Sequence, residues 1–559
     1  MKKAFIFFAV ISLIFISYSS LIAQTFEWAR KSSTTSIATG GAVVTDEHGN
    51  SYMTGSFYGG STFGGFKLGA TGRDAYLVKY DHDGNVLWAK GEGGRGDDFG
   101  NAVVLDKEGN CYQAGSFAFT MHIGADSMVS AGQHDIFLAK FNSKGELLWS
   151  KSAGGYYEDH AMALAVDGAG NSYVAGYFRD TIHFGADKIL TGKGITTYTI
   201  FLAKYDTKGD FQWAKTFGGS TYATQNEGLA IGCDPAGSVF VTGFYQNEAA
   251  FESKQFTTRG TYALFLAKYS SSGKMMWVKS AGGERASVIG KGLAIDKKGN
   301  CYLTGTFTQK ADFDSLSVTS RNLGTADIFL AKYSGDGDAL WVRTSGGFGV
   351  KYPYGVRTDG EGNPYIIGTF QDTAIFDKVI LSGKSVDHIY LVKYDPKGDL
   401  EWAKQVGRHG AVLGKDLGFD KQGNIYMIGN FGDTVEFGKA ELITYKNTQD
   451  VFFAKLSQHS PVKEKKLADP PAADFTFVSC TPDPRTKTAL VKYSIPKPTF
   501  ILLDVYDMMG AVAESYIEGQ RDAGVYEVKL DLKGIKEEGD YYCRLQAGKE
   551  KQSKKIELK

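Results

Sequence analysis

Phe137-Leu138-Ala139-Lys140-Phe141-Asn142-Ser143-Lys144-Gly145-Glu146-Leu147-Leu148-Trp149 decides the fold. An apolar strand, a turn with a late glycine and a strand carrying a tryptophan make one hairpin. The hairpin recurs as Phe329-Leu330-Ala331-Lys332-Tyr333 ahead of Trp341. All seven tryptophans, Trp28, Trp88, Trp149, Trp213, Trp277, Trp341 and Trp402, occupy this one position, 60 to 64 residues apart. A single residue type used in register at such a period marks a propeller or a solenoid.

Outward from the hairpin, the rest of the repeat is legible. After each tryptophan comes a glycine-rich stretch such as Gly93-Gly94 or Gly154-Gly155, then an apolar strand ending near an aspartate. A tight turn follows, as in Asp46 to Asn50, Asp106 to Asn110 and Asp296 to Asn300. Aspartate caps such a turn through its side chain and glycine supplies the positive φ. The second strand carries an aromatic residue and then a glycine, as Tyr52 with Gly55, Tyr112 with Gly115 and Phe240 with Gly243. Glycine inside a strand is unfavourable unless another group approaches closely. The recurring glycines therefore predict equivalent close contacts between neighbouring sheets. A longer segment follows, often with a phenylalanine such as Phe63, Phe184 or Phe313, before the apolar third strand.

Four antiparallel strands per repeat predict an all-β fold, a seven-bladed β-propeller. The first tryptophan strand precedes any blade, and the last blade lacks one after Leu456. The expected closure puts the N-terminal strand beside the third strand of the last blade, which leaves few free edges. The core Asp-x-x-Gly-Asn-x-Tyr-x-x-Gly followed by Asp-x-Phe-Leu-Ala-Lys-Tyr resembles the bacterial seven-bladed β-propeller repeat family. The resemblance implies a fold and no shared reaction.

Composition bounds the function. Lysine plus arginine equals aspartate plus glutamate, 62 each among 559 residues, so no basic face for nucleic acid is expected. Lys2 and Lys3 followed by the apolar run Ala4 to Ile16 read as a secretory signal peptide with cleavage near Ala23. No later stretch is long and apolar enough to span a membrane. The expected organisation is a signal peptide at 1–23, a propeller at 24–457, a polar linker at 458–473 and a small Ig-like β-sandwich at 474–559. Cys480 and Cys543 both fall in this last module and can pair if the geometry suits.

The C-terminal module resembles the sorting domain of the bacterial type IX secretion system. The matching residues are Tyr506, Asp507 and Gly510, then Gly524, then Tyr541 and Leu545, then Gly548 and Lys555. The usual opening Pro-Asn-Pro stands here as Pro482-Asp483-Pro484. The resemblance implies the type IX machinery as a partner and an extracellular or outer-surface location, reached across both membranes.

Two kinds of connection have different freedom. The turns between first and second and between third and fourth strands are short and nearly identical. The other connections are longer, vary between repeats and share the opposite face, around the mouth of a central channel, where function usually resides. Residues there that break the repeat are the candidates: Asp98 beside Phe99; Tyr157, Asp159 and His160; Asn226 and Glu227; Arg285; Tyr352 and Tyr354; and Arg408-His409. Aromatics beside carboxylates and amides suit a sugar ring or a protein surface. No catalytic constellation is evident, so a binding or scaffold protein is expected; the alternative is a secreted hydrolase or lyase acting on polysaccharide.

Other motifs imply less. Asp81-His82-Asp83-Gly84-Asn85 resembles the opening of a calcium loop, but Val86 stands where that loop needs glycine, so no metal site is expected. The tryptophans resemble the docking residues of pyrroloquinoline-quinone dehydrogenases, with Asp206 and Gly209 ahead of Trp213. No adjacent cysteine pair accompanies them, and no cofactor is expected. A lysine in every third strand, Lys79, Lys140, Lys204, Lys268, Lys332, Lys393 and Lys455, reads as an outer position whose head reaches water.

Overall fold

The computed structural model describes residues 25–185, 188–219, 225–321, 325–383, 386–407, 410–445, 448–457, 462–467, 474–510, 512–521, 523–532, 535, 538–548 and 550–558. The expected signal peptide and Arg408-His409 lie outside them. Every regular element among the described residues is a β-strand, and no helix is long and apolar enough to cross a membrane. The chain divides into two compact units, Phe26–Leu456 and a second containing Ser457–Lys559.

In the larger unit the sequence repeat folds as an antiparallel four-stranded sheet. Phe99–Leu105 pairs with Cys111–Phe117, which pairs with Asp135–Phe141, which pairs with Leu147–Ala153. The pattern recurs through Asp159–Val166, Ser172–Arg179, Tyr198–Tyr205 and Phe211–Phe217. First strands pack side by side in chain order, from Ala38–Thr45 on Phe99–Leu105 through to Lys351–Thr358 on Ala411–Phe419. Ala411–Phe419 in turn packs on Ala38–Thr45. The strand Thr25–Thr34 lies between Asp450–Ser457 and Ser51–Phe63 in sheet order. Asp450 holds it there, accepting from the Thr34 amide at 2.9 Å and the Ser32 hydroxyl at 3.1 Å and ion-pairing with Lys31 at 3.1 Å.

The short turns act as predicted and also join neighbouring sheets. Asp46 accepts from the His48 and Asn50 amides, each at 2.9 Å, and the Asn50 amide group donates to its other oxygen at 2.9 Å. Six of the tryptophans, Trp28 through Trp341, donate to a carbonyl of the next sheet. Trp88 and Lys79 both donate to the Ser143 carbonyl, at 3.3 and 3.0 Å. Trp213 and Lys204 converge on Ser271, and Trp277 and Lys268 on Gly335. The turn glycine has to be glycine for two reasons. At Gly145 φ is +81°, and a Cβ would stand 3.0 Å from the Trp88 ring.

The third-strand lysines correct the sequence reading. Lys140, Lys268, Lys332 and Lys455 are buried rather than snorkelling outward. The ammonium groups of the first three reach turn carbonyls or turn acids, as Lys140 does Asp106 at 3.1 Å and Lys268 does Asp234 at 3.0 Å, and Lys455 pairs with Glu27 of the N-terminal strand at 2.8 Å. Repetition signified a joint between units. The longer segments also differ from open loops: they fold as small hairpins such as Thr120–Ile123 with Asp126–Val129 and Lys310–Phe313 with Leu316–Thr319. Some reach back to the preceding tryptophan strand, as Ala281 pairing with Phe313 shows. Their phenylalanines, Phe63, Phe251, Phe313 and Phe376, are fully buried.

The smaller unit has two four-stranded antiparallel sheets sharing one apolar core. One holds Thr476–Asp483, Thr488–Ile495 and Gly524–Asp531; the other holds Thr499–Tyr506, Val512–Arg521, Gly539–Ala547 and Glu550–Leu558. The fourth strand of the first sheet is Val462–Leu467, which pairs with Gly524–Asp531. The stretch expected as a linker at 458–473 therefore contains part of this sheet. Cys480 and Cys543 contribute to the shared core as free thiols. The Cys480 thiol beside it, and then burial, hold the Cys543 thiol well above the ordinary range.

Candidate functional site

One backbone irregularity recurs in every first strand. The pairing with the second strand slips by one residue between Gly40 and Ala42, Gly100 and Ala102, Ala161 and Ala163, and Gly228 and Ala230. It slips again between Gly290 and Gly292, Pro353 and Gly355, and Gly414 and Asp416. Each slip is a β-bulge, which leaves one residue outside the ladder and re-aims its side chain. The residues so released are Gly41, Asn101, Met162, Leu229, Lys291, Tyr354 and Lys415, and no two neighbours are alike except in size at Met162 and Leu229.

The bulge explains the second-strand glycines. A Cβ at Gly115 would be driven into the Phe99 carbonyl oxygen, and at Gly243 into that of Glu227, far below the 3.0 Å that real Cβ atoms keep. Gly55, Gly176, Gly305, Gly368 and Gly429 face the carbonyls of Thr39, His160, Ile289, Tyr352 and Leu413 in the same way. The close approach lies within one sheet, across a bulge, and not between neighbouring sheets as the sequence reading had it.

A cavity of about 200 Å3 opens among three of these bulges, lined by Thr39, Gly41, Ser56, Phe99, Asn101, Lys415 and Asn430. Gly41 must be glycine, because the Gly100 carbonyl passes 2.5 Å from where its Cβ would sit. Asn430 accepts from the Gly40 amide at 2.7 Å through its carbonyl oxygen, which leaves its NH2 donors to the cavity. The Lys415 ammonium stands 4.0 Å over the Tyr354 ring. Burial, and then the Lys291 charge, lower Lys415 from the usual ammonium range. Burial also lowers Lys291 and raises Glu227, and each charge opposes the shift of the other. Asp416 is engaged by Arg357 at 2.8 Å and by the Val43 amide at 3.1 Å.

From Phe99 a ladder of rings runs across three repeats. Arg73 lies between Tyr58 and Phe99, at 4.4 and 4.9 Å from the ring centres. Phe99 neighbours His134 at 6.1 Å, His134 neighbours His160 at 5.2 Å, and His160 neighbours Tyr177 at 5.1 Å. Tyr177 meets Tyr198 edge-on at 4.8 Å, and Arg179 covers Tyr198 at 4.3 Å. Phe99, His160, Tyr177 and Tyr198 are each only half-buried. Burial pushes His160 down to about 4, aided by the His134 and Arg179 charges, so the ring is neutral near pH 7 and hydrogen-bonds with Ser116 at 2.9 Å. Half-exposed aromatic faces interleaved with hydrogen-bonding groups suit flat polar ligands.

The expected site residues divide. His160, Glu227 and Tyr354 belong to this region, and Tyr352 stands beside Tyr354, half exposed, at 6.4 Å between rings. Tyr157 is half-buried and packs edge-on to Tyr156 at 5.1 Å. Arg285 is exposed on a left-handed turn, with φ of +58°. Asp98, Asp159 and Asn226 must be corrected, because all three are fully buried and meet no ligand from solvent. They brace the connections entering the first strand. Asp98 accepts from the Gly94 and Ala118 amides at 2.9 and 3.2 Å, and Asp159 from Gly155 at 2.6 Å. Asn226 donates to the Tyr198 carbonyl at 2.9 Å. Burial raises Asp98 to about 7 and Asp159 to about 9.

Asn101, Lys291 and Lys415 were missed by sequence reasoning. Their signal is a small–X–small triplet, Gly100-Asn101-Ala102 or Gly290-Lys291-Gly292, in which only X is free. The calcium-like turn is closed on itself: Asp81 accepts from the Asp83 and Asn85 amides at 3.0 and 2.8 Å.

In the smaller unit the sorting-motif residues are mainly structural. Leu545 and Tyr541 are core side chains, and Arg544 covers Tyr506 at 4.1 Å. Asp507 accepts from the Met509 amide at 2.9 Å in a turn where Gly510 has φ of +84°. Gly524 opens a strand, Gly548 turns with φ of +60°, and Lys555 pairs with Asp540 at 2.7 Å.

The beta-propeller repeat family matches residues 401–430 of this chain. An uncharacterized WD repeat-containing protein, L264, of Acanthamoeba polyphaga mimivirus is 24% identical over 433 residues. That match covers 64% of this chain and 31% of the viral protein, so the chain spans about a third of that relative's length. A crystal structure of a protein of unknown function from Bacteroides caccae matches with TM-score 0.30 and 14% identity, over 60% of this chain and 92% of that one. A puromycin hydrolase structure matches with TM-score 0.38 and 11% identity, over 82% of this chain and 58% of that one. The family match and the viral relative support a β-propeller repeat protein.

Proposed function

We propose that this chain is an exported seven-bladed propeller, closed by its N-terminal strand, that binds a glycan where the first-strand bulges meet the aromatic ladder. The carrying observation is that Phe99 belongs both to the cavity wall and to the ladder, so stacking surface and hydrogen-bonding pocket are continuous. The packing of Ala38–Thr45 against both Phe99–Leu105 and Ala411–Phe419 supports closure. The hydrolase or lyase alternative is less favoured because Asp98 and Asp159, acids expected at the mouth, are sealed in backbone hydrogen bonds.

Binding is tested on the whole purified chain with a glycan array followed by calorimetry. At least one oligosaccharide should be retained, and Phe99→Ala should weaken it by about tenfold or more. No retained glycan, or unchanged affinity in that variant, overturns the reading.

The Ig-like sandwich at 474–559 serves in this proposal as a type IX sorting domain that delivers the propeller to the outer surface. The support is its resemblance in sequence and its separation as a compact unit. In a host with that system, removing residues 474–559 should retain the propeller in the periplasm. Undiminished release to the surface would refute the assignment.

A further inference from the structure

Three consecutive first strands release Lys291, Tyr354 and Lys415 at their bulges. Among the described residues neither ammonium group has a hydrogen-bonded acceptor or an ion pair. Lys415 rests on the Tyr354 ring at 4.0 Å, a contact that tolerates a cation without neutralising it. The acids nearby are engaged or outnumbered. Asp416 is held by Arg357, which leaves Glu227 opposite Lys291 as the one acid whose charge bears on either lysine. A partly desolvated ammonium with no acceptor, and with the like charge of Lys291 bearing on it, is unfavourable until a counter-charge arrives.

The surrounding wall is built from neutral groups. Thr39 and Ser56, whose hydroxyls bond each other at 3.0 Å, line the 200 Å3 cavity together with Asn430, and Gly41 adds no side chain to it. Phe99 closes one side and leads to the ladder. A small planar anion fits this set: its charge at Lys415, its remaining lone pairs on hydroxyl and amide donors, and an attached ring on the aromatic face.

We propose that the glycan carries carboxylates, and that Lys415 binds the carboxylate of a uronic acid residue in this cavity. The proposal rests on the glycan reading above and narrows it. Lys415 supplies the direct contact. The Lys291 charge, opposed by that of Glu227, bears on Lys415 from the next bulge but one.

The test is calorimetry on the full chain with three probes: an oligouronate, a neutral oligosaccharide of equal length, and inorganic sulfate. The oligouronate should bind at least about tenfold more tightly than the neutral oligosaccharide, as a charge-assisted hydrogen bond predicts, and its affinity should fall as salt rises. Lys415→Gln should abolish that preference, bringing oligouronate affinity down to that for the neutral oligosaccharide. Equal affinity for the two oligosaccharides, or a preference that survives Lys415→Gln, overturns the carboxylate site and leaves the glycan reading standing. Sulfate binding that is lost in Lys415→Gln, with no oligosaccharide bound, overturns the uronate proposal and the glycan reading together and reduces the site to one for simple anions.

Discussion

At pH 8 the Asp159→Asn variant should unfold at a clearly higher temperature than the parent chain, and the gap should shrink steadily as pH is lowered to 5. Asp159 is fully buried, and burial, with the Asp135 charge adding to it, raises its carboxyl to about 9. The unfolded chain releases that proton near pH 4. Between those two values the folded state holds the extra proton, so stability is lost as pH rises through this window. The loss approaches about 1.4 kcal/mol per pH unit for one such group. Asparagine keeps an oxygen for the Gly155 amide and has no proton to release, so its share of the slope disappears. Asp98 at about 7, Glu92 at about 8, and Asp74 and Asp135 at about 6 act in the same direction. The parent propeller should therefore be more stable at pH 5 than at pH 8. Thermal unfolding across that range decides the matter, and a parent whose stability rises with pH would contradict it.

Gly115→Ala should destabilise the propeller by about 3 kcal/mol or more. The new methyl group would enter the Phe99 carbonyl oxygen and press on the Phe137 ring. The carbonyl is backbone held by the bulge, so it cannot rotate away as a flexible side chain would. By contrast Gly65 has open space around its Cβ position and an ordinary φ, and Gly65→Ala should be nearly silent. Chemical denaturation of the two variants separates the bulge from a general intolerance of alanine. Equal behaviour would remove the bulge as the reason for the glycine.

Much of the architecture was legible because it repeats. The tryptophans, the Asp–Gly–Asn turns and the strand glycines each announced a unit, and the four-strand order follows from their spacing. The physical meaning of some repeats was misread. A lysine in every third strand looked like a solvated position, since buried lysine is rare. For Lys79, Lys204, Lys268 and Lys332 the acceptor is a backbone carbonyl of the next unit, Ser143 for Lys79, and carbonyls leave no trace in sequence. The strand glycine was assigned to sheet-to-sheet contact because a bulge is a slip in register, visible only when both strands are paired. The candidate site was less legible for a related reason. Asp98 and Asp159 break the repeat as ligand residues would, yet they cap the chain entering a strand. Lys415 sits in an ordinary-looking Gly414-Lys415-Asp416 and is exceptional only through its neighbours across the cavity.

The bulges have one more consequence. Each combines a glycine whose identity is dictated by a carbonyl with an adjoining position that the hydrogen-bond ladder does not use. Substituting the latter leaves every strand pairing intact. Three of the seven released positions line the cavity, and with Gly41 fixed by the Gly100 carbonyl, Asn101 and Lys415 are the replaceable letters on an unchanging page. A protein built this way can change what it recognises one letter at a time without renegotiating its fold.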